Sequence, residues 1–325
     1  MKKVVPGLLI SVLLVYLSVR GTDFHGVIAG MAKIGYGFIL PAVLLMILMQ
    51  ALRVWRWGLI LSPLGKLETL TLWAITNVGF LAITALPARL GELLRPYLVA
   101  RHSPIKMSAA VGTVFLERFF DGVTILTIAS LTPFFTQLPP WLIDANYVFL
   151  LINLVLLAVI ILAVFRRPLL ESFFNFFLRL GPQRWTETLS RLLRHFLDGI
   201  QIIGDGPRLF RILLLSLLIW LVDALAIYFL FLAFKLSLPS AAAFVLMIIL
   251  IIGIAIPTAP GFVGNWHYSC VLGLSLFGIA KTEALTFAII YHFLAISITL
   301  VLGLAFLPFL KFSWTDLWHE VGKRL

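Results

Sequence analysis

The sequence predicts an all-α integral membrane protein, a polytopic bundle of about six spanning helices plus two re-entrant hairpins in an inverted repeat. Hydrophobic residues make up 62% of the 325 residues and charged residues only 12%. Several windows exceed the roughly 18 apolar residues that span a bilayer core. Two further apolar segments each end in a break of proline and glycine, which a helix surrounded by lipid does not tolerate.

The first apolar segment follows Lys2 and Lys3 and runs from Val4 to Val19. This order of charge and hydrophobicity also occurs in secretory signal peptides, but the residues after the segment contain no convincing small-x-small cleavage site. We therefore predict a retained first helix, followed by an external loop that ends at residue 34.

Six continuous apolar segments are close to the length of about 20 residues that a spanning helix needs. They are residues 4–20, 36–56, 107–133, 147–165, 210–234 and 284–310. The two segments that end in breaks are residues 69–86 and 240–256. Because a broken helix exposes polar backbone groups, we predict that both are re-entrant hairpins buried in protein or lining a wet cavity.

The distribution of basic residues supports this topology. If both hairpins return to the side that they left, the cytoplasmic side receives most of the basic residues, including Arg53 and Arg56. The far side receives only Arg20, Lys33, Lys235 and Lys281. A hairpin that crossed fully would remove this asymmetry, so the positive-inside rule favours two cytoplasmic termini.

The chain reads as a single transmembrane domain with two similar halves. The first half covers residues 35–165 and the second residues 210–311, and residues 312–325 form a cytoplasmic tail. In each half a proline precedes a glycine by four positions at the break, and the two hairpins enter from opposite sides. Inverted repeats of transporters have this arrangement, with the substrate site at the discontinuous helices. The alternative is a chance similarity between two apolar sequences.

The linker at residues 166–209 carries Phe, Leu, Trp and Ile at helical spacing opposite charged residues. It reads either as one or two amphipathic helices that bind anionic headgroups or as an ordinary basic connection between the halves.

Composition also bears on other functions. The net charge of +11 comes from basic residues that flank apolar segments, so it indicates membrane orientation and no nucleic-acid partner. The single Cys270 leaves no cysteine cluster for a metal. No nucleotide-binding loop, hydrolase motif or metalloprotease motif is present. We predict neither a cofactor nor a metal.

Ionisable residues within a span are the leading functional candidates, because each is costly unless paired or hydrated. Glu117 and Asp121 share one helix face, and Arg118 reaches Asp121 across one turn. This cluster either serves function or joins helices. Two carboxylates and one arginine leave negative charge that needs an outside partner, and Arg89 and Arg95 are candidates for that role.

The first hairpin also offers ligands for phosphate. Arg89, Glu92 and Arg95 alternate in sign on one face of a short helix. The planar fork of arginine makes two parallel hydrogen bonds to phosphate oxygens, so a phospholipid headgroup is a natural ligand.

Further polar residues lie in the second hairpin and the last two spans. They are Asn265, His267, Tyr268, Tyr291, His292 and Asp223. The histidines suggest a metal or a proton relay, but neutral hydrogen-bonded histidines fit better because no third ligand is near in sequence. Asp223 either caps the broken backbone of a hairpin or accepts a proton.

Three motifs occur in a characteristic order. They are P-x-R-x-G-E-x-x-R at residues 87–95, E-R-x-x-D at residues 117–121 and P-x-x-P-G-x-x-G at residues 257–264. Together they resemble the transmembrane domain of lysylphosphatidylglycerol synthases and their stand-alone relatives, over about residues 5–310. The structural breaks of these motifs are Pro87, Gly91, Pro257, Pro260, Gly261 and Gly264.

The resemblance implies a lipid flippase domain, and this chain is expected to be a member without the soluble aminoacyltransferase domain of the bifunctional proteins. Family members often carry a glutamate where this chain has His267, and an arginine where it has His292. This change alters the charge of the pair, so the headgroup need not be lysylphosphatidylglycerol.

The leading hypothesis is a flippase or scramblase that moves a phospholipid or related lipid phosphate between leaflets of a bacterial inner membrane. Its expected substrate-binding residues are Arg89, Glu92, Arg95, Glu117, Arg118, Asp121, Asn265, His267, Tyr291 and His292. Alternatives are an integral-membrane transferase with Glu117 or Asp121 as general base, and a lipid-binding accessory subunit. A lipid-modifying enzyme and a second copy of the chain are further candidate partners.

Overall fold

A computed structural model describes residues 5–86, 91–137, 140–166, 206–256 and 259–310, together with isolated positions of the linker between 168 and 176. These residues form helices, turns and loops, and they contain no strand. In chain order the α-helices are α1 (Val5–Val19), α2 (Phe24–Ala32), α3 (Tyr36–Leu61), α4 (Thr69–Ala85), α5 (Gly91–His102), α6 (Met107–Leu131), α7 (Pro140–Phe165), α8 (Gly206–Ala233), α9 (Ser240–Ala255), α10 (Asn265–Ser275) and α11 (Lys281–Phe306).

The protein is an all-helical, multi-pass membrane protein. Within the described residues, α3, α8 and α11 with its 3-10 extension to Leu310 are long and apolar enough to cross a bilayer. A fourth candidate is the pair α1 and α2, which is bent by 78°. The predicted α6 span has 25 residues, but it carries three charged side chains near its centre. The predicted number of six spans and the re-entrant path of the hairpins remain predictions.

Residues 24–32, expected as part of an external loop, form α2. Asp23 caps this helix, because its side chain accepts a hydrogen bond from the backbone N–H of the second following residue at 3.0 Å. Lys281 Nζ donates to the carbonyl oxygens of Leu17 at 2.8 Å and Arg20 at 2.6 Å. The end of α1 is thereby joined to the start of α11.

Helices α4 and α5 form an antiparallel hairpin. Near its tip, a Cβ atom at Gly91 would overlap the backbone of Ala82 and Ile83. Further from the tip, the side chain of Arg95 lies directly against Gly79. The two glycines therefore permit a close approach that larger residues would prevent. The intervening Pro87 and Arg89 lie outside the described residues.

Helices α9 and α10 form a second antiparallel hairpin with a longer tip. Asn265 Nδ2 donates to the carbonyl oxygens of Gly253 and Ile256, each at 2.9 Å. This side chain caps the end of α9, where the last carbonyls lack the usual helical donors. In the tip, Pro260 begins a 3-10 turn. Gly261 and Gly264 have φ values of 69° and 94°, which glycine adopts without strain. Pro257 lies outside the described residues.

The order of helix lengths recurs along the chain. Helices α3 to α6 contain 26, 17, 12 and 25 residues, and α8 to α11 contain 28, 16, 11 and 26 residues. Helices α3 and α8 pack against each other in opposite directions. The backbone N–H of Gly35 donates to the Ala233 carbonyl at 2.8 Å, and near the other end Arg56 bonds Ser216.

The two largest of three buried apolar clusters join most of the helices. One joins α3 to α8–α11 and contains the fully buried Phe231 and Phe287. The other joins α3 to α4–α6 around the fully buried Trp57. Many large apolar side chains elsewhere are exposed, including Leu9 on α1 and Val301 on α11. Exposed apolar surface of this extent is typical of a protein surrounded by lipid.

Most of the predicted linker at residues 166–209 and all of the tail at residues 312–325 lie outside the described residues. The predicted amphipathic character of the linker therefore stays a prediction. Helix α8 begins at Gly206, four residues before the predicted start of the second half.

Candidate functional site

The charged residues of α6 form a buried ion cluster with an arginine of α3. Arg56 Nη1 lies 2.6 Å from Asp121 Oδ1, and Arg56 Nη2 lies 3.3 Å from Glu117 Oε1. Arg56 Nη1 also donates to Ser216 Oγ on α8 at 2.9 Å. One guanidinium therefore joins three helices, and its side chain is fully buried.

A second arginine reaches the same cluster from the first hairpin. Arg95 Nη2 lies 2.9 Å from Glu117 Oε2. The Arg95 guanidinium carbon is 3.9 Å from the ring centroid of Trp57, and the indole Nε1 of Trp57 donates to Thr113 Oγ1 at 3.2 Å. Arg95 is fully buried, so its charge is stabilised by a carboxylate and an aromatic face.

Asp121 lies at the boundary between this cluster and an open space. Its Oδ2 is 3.4 Å from Arg118 Nη1, and its Oδ1 accepts a hydrogen bond from Trp220 Nε1 at 3.2 Å. The Arg118 side chain is 40% exposed, whereas that of Asp121 is 9% exposed. The two carboxylate oxygens of Asp121 thus connect the buried Arg56 to the more accessible Arg118.

The charge balance of the cluster confirms part of the prediction. The expectation was an excess of negative charge on α6, to be met by an outside partner such as Arg95, and Arg95 does pair with Glu117. Among the described residues, Arg56, Arg95 and Arg118 pair with Glu117 and Asp121, so these five residues together carry one excess positive charge. One further negative charge, from another residue or from a ligand, balances the cluster.

Arg56 was expected at the cytoplasmic end of a span, and the predicted end of that span at residue 56 was wrong. The predicted span ended at residue 56, but α3 continues to Leu61 and buries Arg56 completely. The sequence contains a signal for this, because residues 57–61 after Arg56 are all apolar or glycine. Arg56 therefore lies inside the helix, and not at its end.

A cavity of about 390 Å³ lies between the two sets of helices, α3–α6 and α8–α11. Apolar side chains form most of its wall. The ionisable side chains that line it are Arg53, Glu92, Arg118, Asp121, Asp223, Tyr291 and His292. A concave, mostly apolar site with a few convergent polar groups is the usual form of a ligand site.

Arg53 was also expected in a cytoplasmic flank, and the structure places it in the cavity wall. Its guanidinium carbon is 5.2 Å from the ring centroid of Phe80 and 5.8 Å from that of Trp220. It makes no ion pair within 4 Å with a described residue. Arg53 and Arg56 are three positions apart. Both were missed as site residues for the same reason, because each was assigned to the cytoplasmic flank of a span.

His267 and His292, which stand where a glutamate and an arginine were expected from the family resemblance, lie next to each other. The ring centroids of His267 and His292 are 4.8 Å apart, and the Trp266 ring stacks on His292 at 5.1 Å. His292 Nε2 is 2.7 Å from the Gly261 carbonyl oxygen. His292 lines the cavity and contacts the tip of the second hairpin, as a hydrogen-bonded histidine is expected to do.

The predicted substrate-binding residues fall into three groups. Glu92, Arg118, Asp121, Tyr291 and His292 line the cavity. A second group supports the wall from behind: Arg95 and Glu117 in the ion cluster, Asn265 in the second hairpin, and His267 beside His292. Arg89 lies outside the described residues. Whether these residues bind substrate remains a prediction.

The chain is similar to several known membrane proteins. A family model described as the lysylphosphatidylglycerol synthase TM region matches residues 4–319. A UPF0104 membrane protein of Methanocaldococcus jannaschii is 25% identical over 212 residues, which are 64% of this chain and 85% of the relative. A UPF0104 membrane protein of Methanothermobacter thermautotrophicus is 24% identical over 315 residues, 91% of this chain and 90% of the relative.

A third relative is the glycosyltransferase AglD of Haloferax volcanii, which is 24% identical over 350 residues. The match covers 98% of this chain but only 56% of that relative. These three relatives are all archaeal.

Proposed function

The chain belongs to the family of the lysylphosphatidylglycerol synthase transmembrane region, and on this premise we propose that it moves a lipid between the two leaflets of its membrane. The cargo is a phospholipid or a related lipid phosphate, and the protein acts as a flippase or scramblase. The observation that carries the proposal is the cavity between the two sets of helices, with arginines in its wall and a surplus of positive charge behind it.

Arg118 and Arg53 are the phosphate ligands in this proposal. Arg118 is the accessible member of the ion cluster, with a side chain that is 40% exposed. Arg53 lines the same cavity and makes no ion pair with a described residue. Each guanidinium therefore retains N–H groups that a phosphate can accept bonds from. Arg56, Arg95 and Glu117 hold the arginine-bearing wall in position.

The shape and lining of the cavity fit a headgroup better than a whole lipid. Its volume is about 390 Å³, near the lower end of the roughly 300–1,000 Å³ of small-molecule sites. Much of the remaining wall is aliphatic, with Ile251, Ile254 and Leu302 among its side chains. A polar headgroup in the cavity with its acyl chains along apolar helix surfaces avoids exposing either part to the wrong solvent.

The two sets of helices provide the means of movement. We propose that α3–α6 and α8–α11 are inverted repeats and that the two hairpins are re-entrant. The recurring helix lengths and the opposite directions of α3 and α8 support this relationship. In such folds one repeat rocks against the other around a site at their interface. The cavity lies at that interface.

The membrane in this proposal is the cytoplasmic membrane, with both termini in the cytoplasm as the basic residues favour. The assignment to a bacterium remains a sequence-based prediction, since the relatives described above are archaeal. A lipid-modifying enzyme and a second copy of the chain remain proposed partners.

Lipid movement in proteoliposomes tests the proposal. Phospholipids with a fluorophore on one acyl chain are quenched by dithionite only in the outer leaflet, so translocation appears as loss of the protected signal. We expect Arg118→Gln to slow translocation about tenfold or more, because hydrogen bonds to charged groups contribute roughly 1.5–3 kcal/mol. Arg20→Gln is the matched control, since Arg20 is exposed and lies outside the cavity.

Two results would contradict the proposal. One is a wild-type protein whose proteoliposomes translocate lipid no faster than liposomes without protein. The other is an Arg118→Gln protein that elutes as a folded species and moves lipid at the wild-type rate.

A membrane-embedded transferase that acts on a lipid-phosphate acceptor is a second candidate, favoured by the relative named as a glycosyltransferase. That relative has a large part that the match leaves uncovered, and the chemistry in its name need not belong to the shared part. Incubation of the purified chain with lipid phosphates and nucleotide sugars, followed by mass spectrometry of the lipids, distinguishes the two. A glycosylated lipid would favour the transferase.

A further inference from the structure

Asp223 is a carboxylate in the cavity wall that the charge cluster does not use. It lies in the second half of α8, one turn after Trp220, and it lines the cavity together with Arg53. It is half-buried, and it makes no hydrogen bond or ion pair within 4 Å with a described residue. It therefore does not cap either hairpin within the described residues.

The other carboxylates of the cavity wall are already engaged. Asp121 receives two arginines and the Trp220 indole. Glu92 has an interaction partner of its own. Among the described residues that line the cavity, Asp223 is the carboxylate with open acceptor positions. An intramembrane acid of this kind is costly and is a functional candidate by default.

The aromatic surroundings of Asp223 suit a cation. The aromatic side chains of Trp220, Trp266 and Tyr291 line the same cavity as Asp223. A carboxylate with several aromatic rings nearby attracts an ammonium group by charge and through the ring faces.

The cavity thus presents opposite charges from different helices. Arg118 on α6 and Arg53 on α3 offer guanidinium groups, and Asp223 on α8 offers a carboxylate. A ligand that carries only a phosphate would leave Asp223 without a partner. A ligand that carries only an ammonium would leave the remaining N–H groups of Arg53 and Arg118 without an acceptor. A zwitterionic ligand matches both.

We propose that the cavity selects phospholipids with a zwitterionic headgroup, in which Arg53 and Arg118 hold the phosphate and Asp223 accepts the ammonium. This inference rests on the proposed function, because it names the lipid class that the proposed transporter prefers. Asp223 is then a residue that determines specificity, whereas the arginines are needed for any lipid phosphate.

Three lipids with the same labelled acyl chain separate the contributions of the headgroup in the proteoliposome assay. They are phosphatidylethanolamine, its N-acetylated derivative, which keeps the phosphate but lacks the ammonium, and phosphatidylglycerol. We expect the wild-type protein to move phosphatidylethanolamine about tenfold faster than the other two lipids. This ratio of rates corresponds to the free energy of one charge-assisted hydrogen bond. Asp223→Asn should remove this preference and leave movement of the N-acetylated lipid unchanged.

Asp144→Asn is the matched control, because Asp144 is exposed on α7 and lies outside the cavity lining. Equal wild-type rates for the three lipids would overturn the inference while the proposed function stands. Equal slowing of all three by Asp223→Asn would also overturn it and would assign Asp223 to proton transfer or folding. A wild-type protein that moves none of the lipids would instead reject the proposed function. The wild-type comparison needs no variant, so it decides even where Asp223→Asn does not fold.

Discussion

Replacement of Arg56 by methionine tests the ion cluster as the structural centre of the site. Its guanidinium contacts Asp121 at 2.6 Å, Glu117 at 3.3 Å and Ser216 at 2.9 Å, all within the buried bundle. Unit charges 4 Å apart attract by about 4 kcal/mol at an effective dielectric constant of about 20, and desolvation of the ions cancels much of that gain.

Breaking a buried ion pair from one side costs roughly 3–5 kcal/mol, because a charge loses its partner. Glu117 keeps its contact with Arg95, and Asp121 keeps its hydrogen bond from Trp220. We therefore expect a loss near the lower limit, about 3 kcal/mol in the free energy of unfolding. Chains of 150–250 residues lose roughly 2–4 °C of midpoint per kcal/mol, and the shift becomes smaller with length. At about 2 °C per kcal/mol, the thermal midpoint of Arg56→Met in this chain of 325 residues should fall by about 6 °C or less.

The assay is thermal unfolding in detergent, followed by the fraction that remains monodisperse in size-exclusion chromatography. Arg53→Met is the matched control, because Arg53 lies one turn away on α3 and has aromatic contacts but no ion pair with a described residue. It should lose less than about 1 kcal/mol, the value of an exposed cation–π contact. Adding Asp121→Asn to Arg56→Met should recover part of the loss. Equal midpoints for Arg53→Met and Arg56→Met would refute the reasoning.

Three further predictions concern the hairpins and the histidine pair. Gly91→Ala should destabilise the protein by roughly 1–3 kcal/mol through overpacking, whereas Gly112→Ala, where a Cβ meets open space, should not lower the midpoint. Asn265→Ala should cost roughly 1–3 kcal/mol, because it removes two hydrogen bonds of roughly 0.5–1.5 kcal/mol each, and an unchanged midpoint would show that these bonds do not hold the hairpin. His267→Glu and His292→Arg should each lower the thermal midpoint, since either places an unpaired charge in the bundle. The double variant should recover most of the loss, and failure to do so would mean that the two side chains are not in contact.

The sequence was sufficient to predict the class of fold, the two hairpins and the family. Apolar composition and the Pro/Gly breaks predicted a helical membrane protein with two interrupted helices, because lipid leaves few ways to satisfy backbone polar groups. The antiparallel packing of α4 on α5 and of α9 on α10 shows a helical hairpin at each break, and the re-entrant path of both hairpins stays a prediction. The pairing of His267 with His292 was also anticipated, because both positions depart together from the family pattern.

Only one of the buried ion pairs was predicted from the sequence. Arg95 was named as a candidate partner for the carboxylates of α6, and its pair with Glu117 confirms this. The pairs of Arg56 with Glu117 and Asp121 were missed, because they join residues far apart along the chain and local patterns do not show which distant helices meet. The end of α3 was placed too early because an arginine near the end of an apolar segment usually marks the membrane boundary. In this bundle the carboxylates of α6 offset the free-energy cost of burying Arg56.

The sequence by itself thus determined that costly charges lie within an apolar chain and must be paired. The tertiary structure decided which charges pair with one another and which remain free to face the cavity. Local composition sets the free-energy cost of burying a charge. Only the packing of distant helices brings the opposite charge within reach, and it leaves Arg53, Arg118 and Asp223 at the cavity surface.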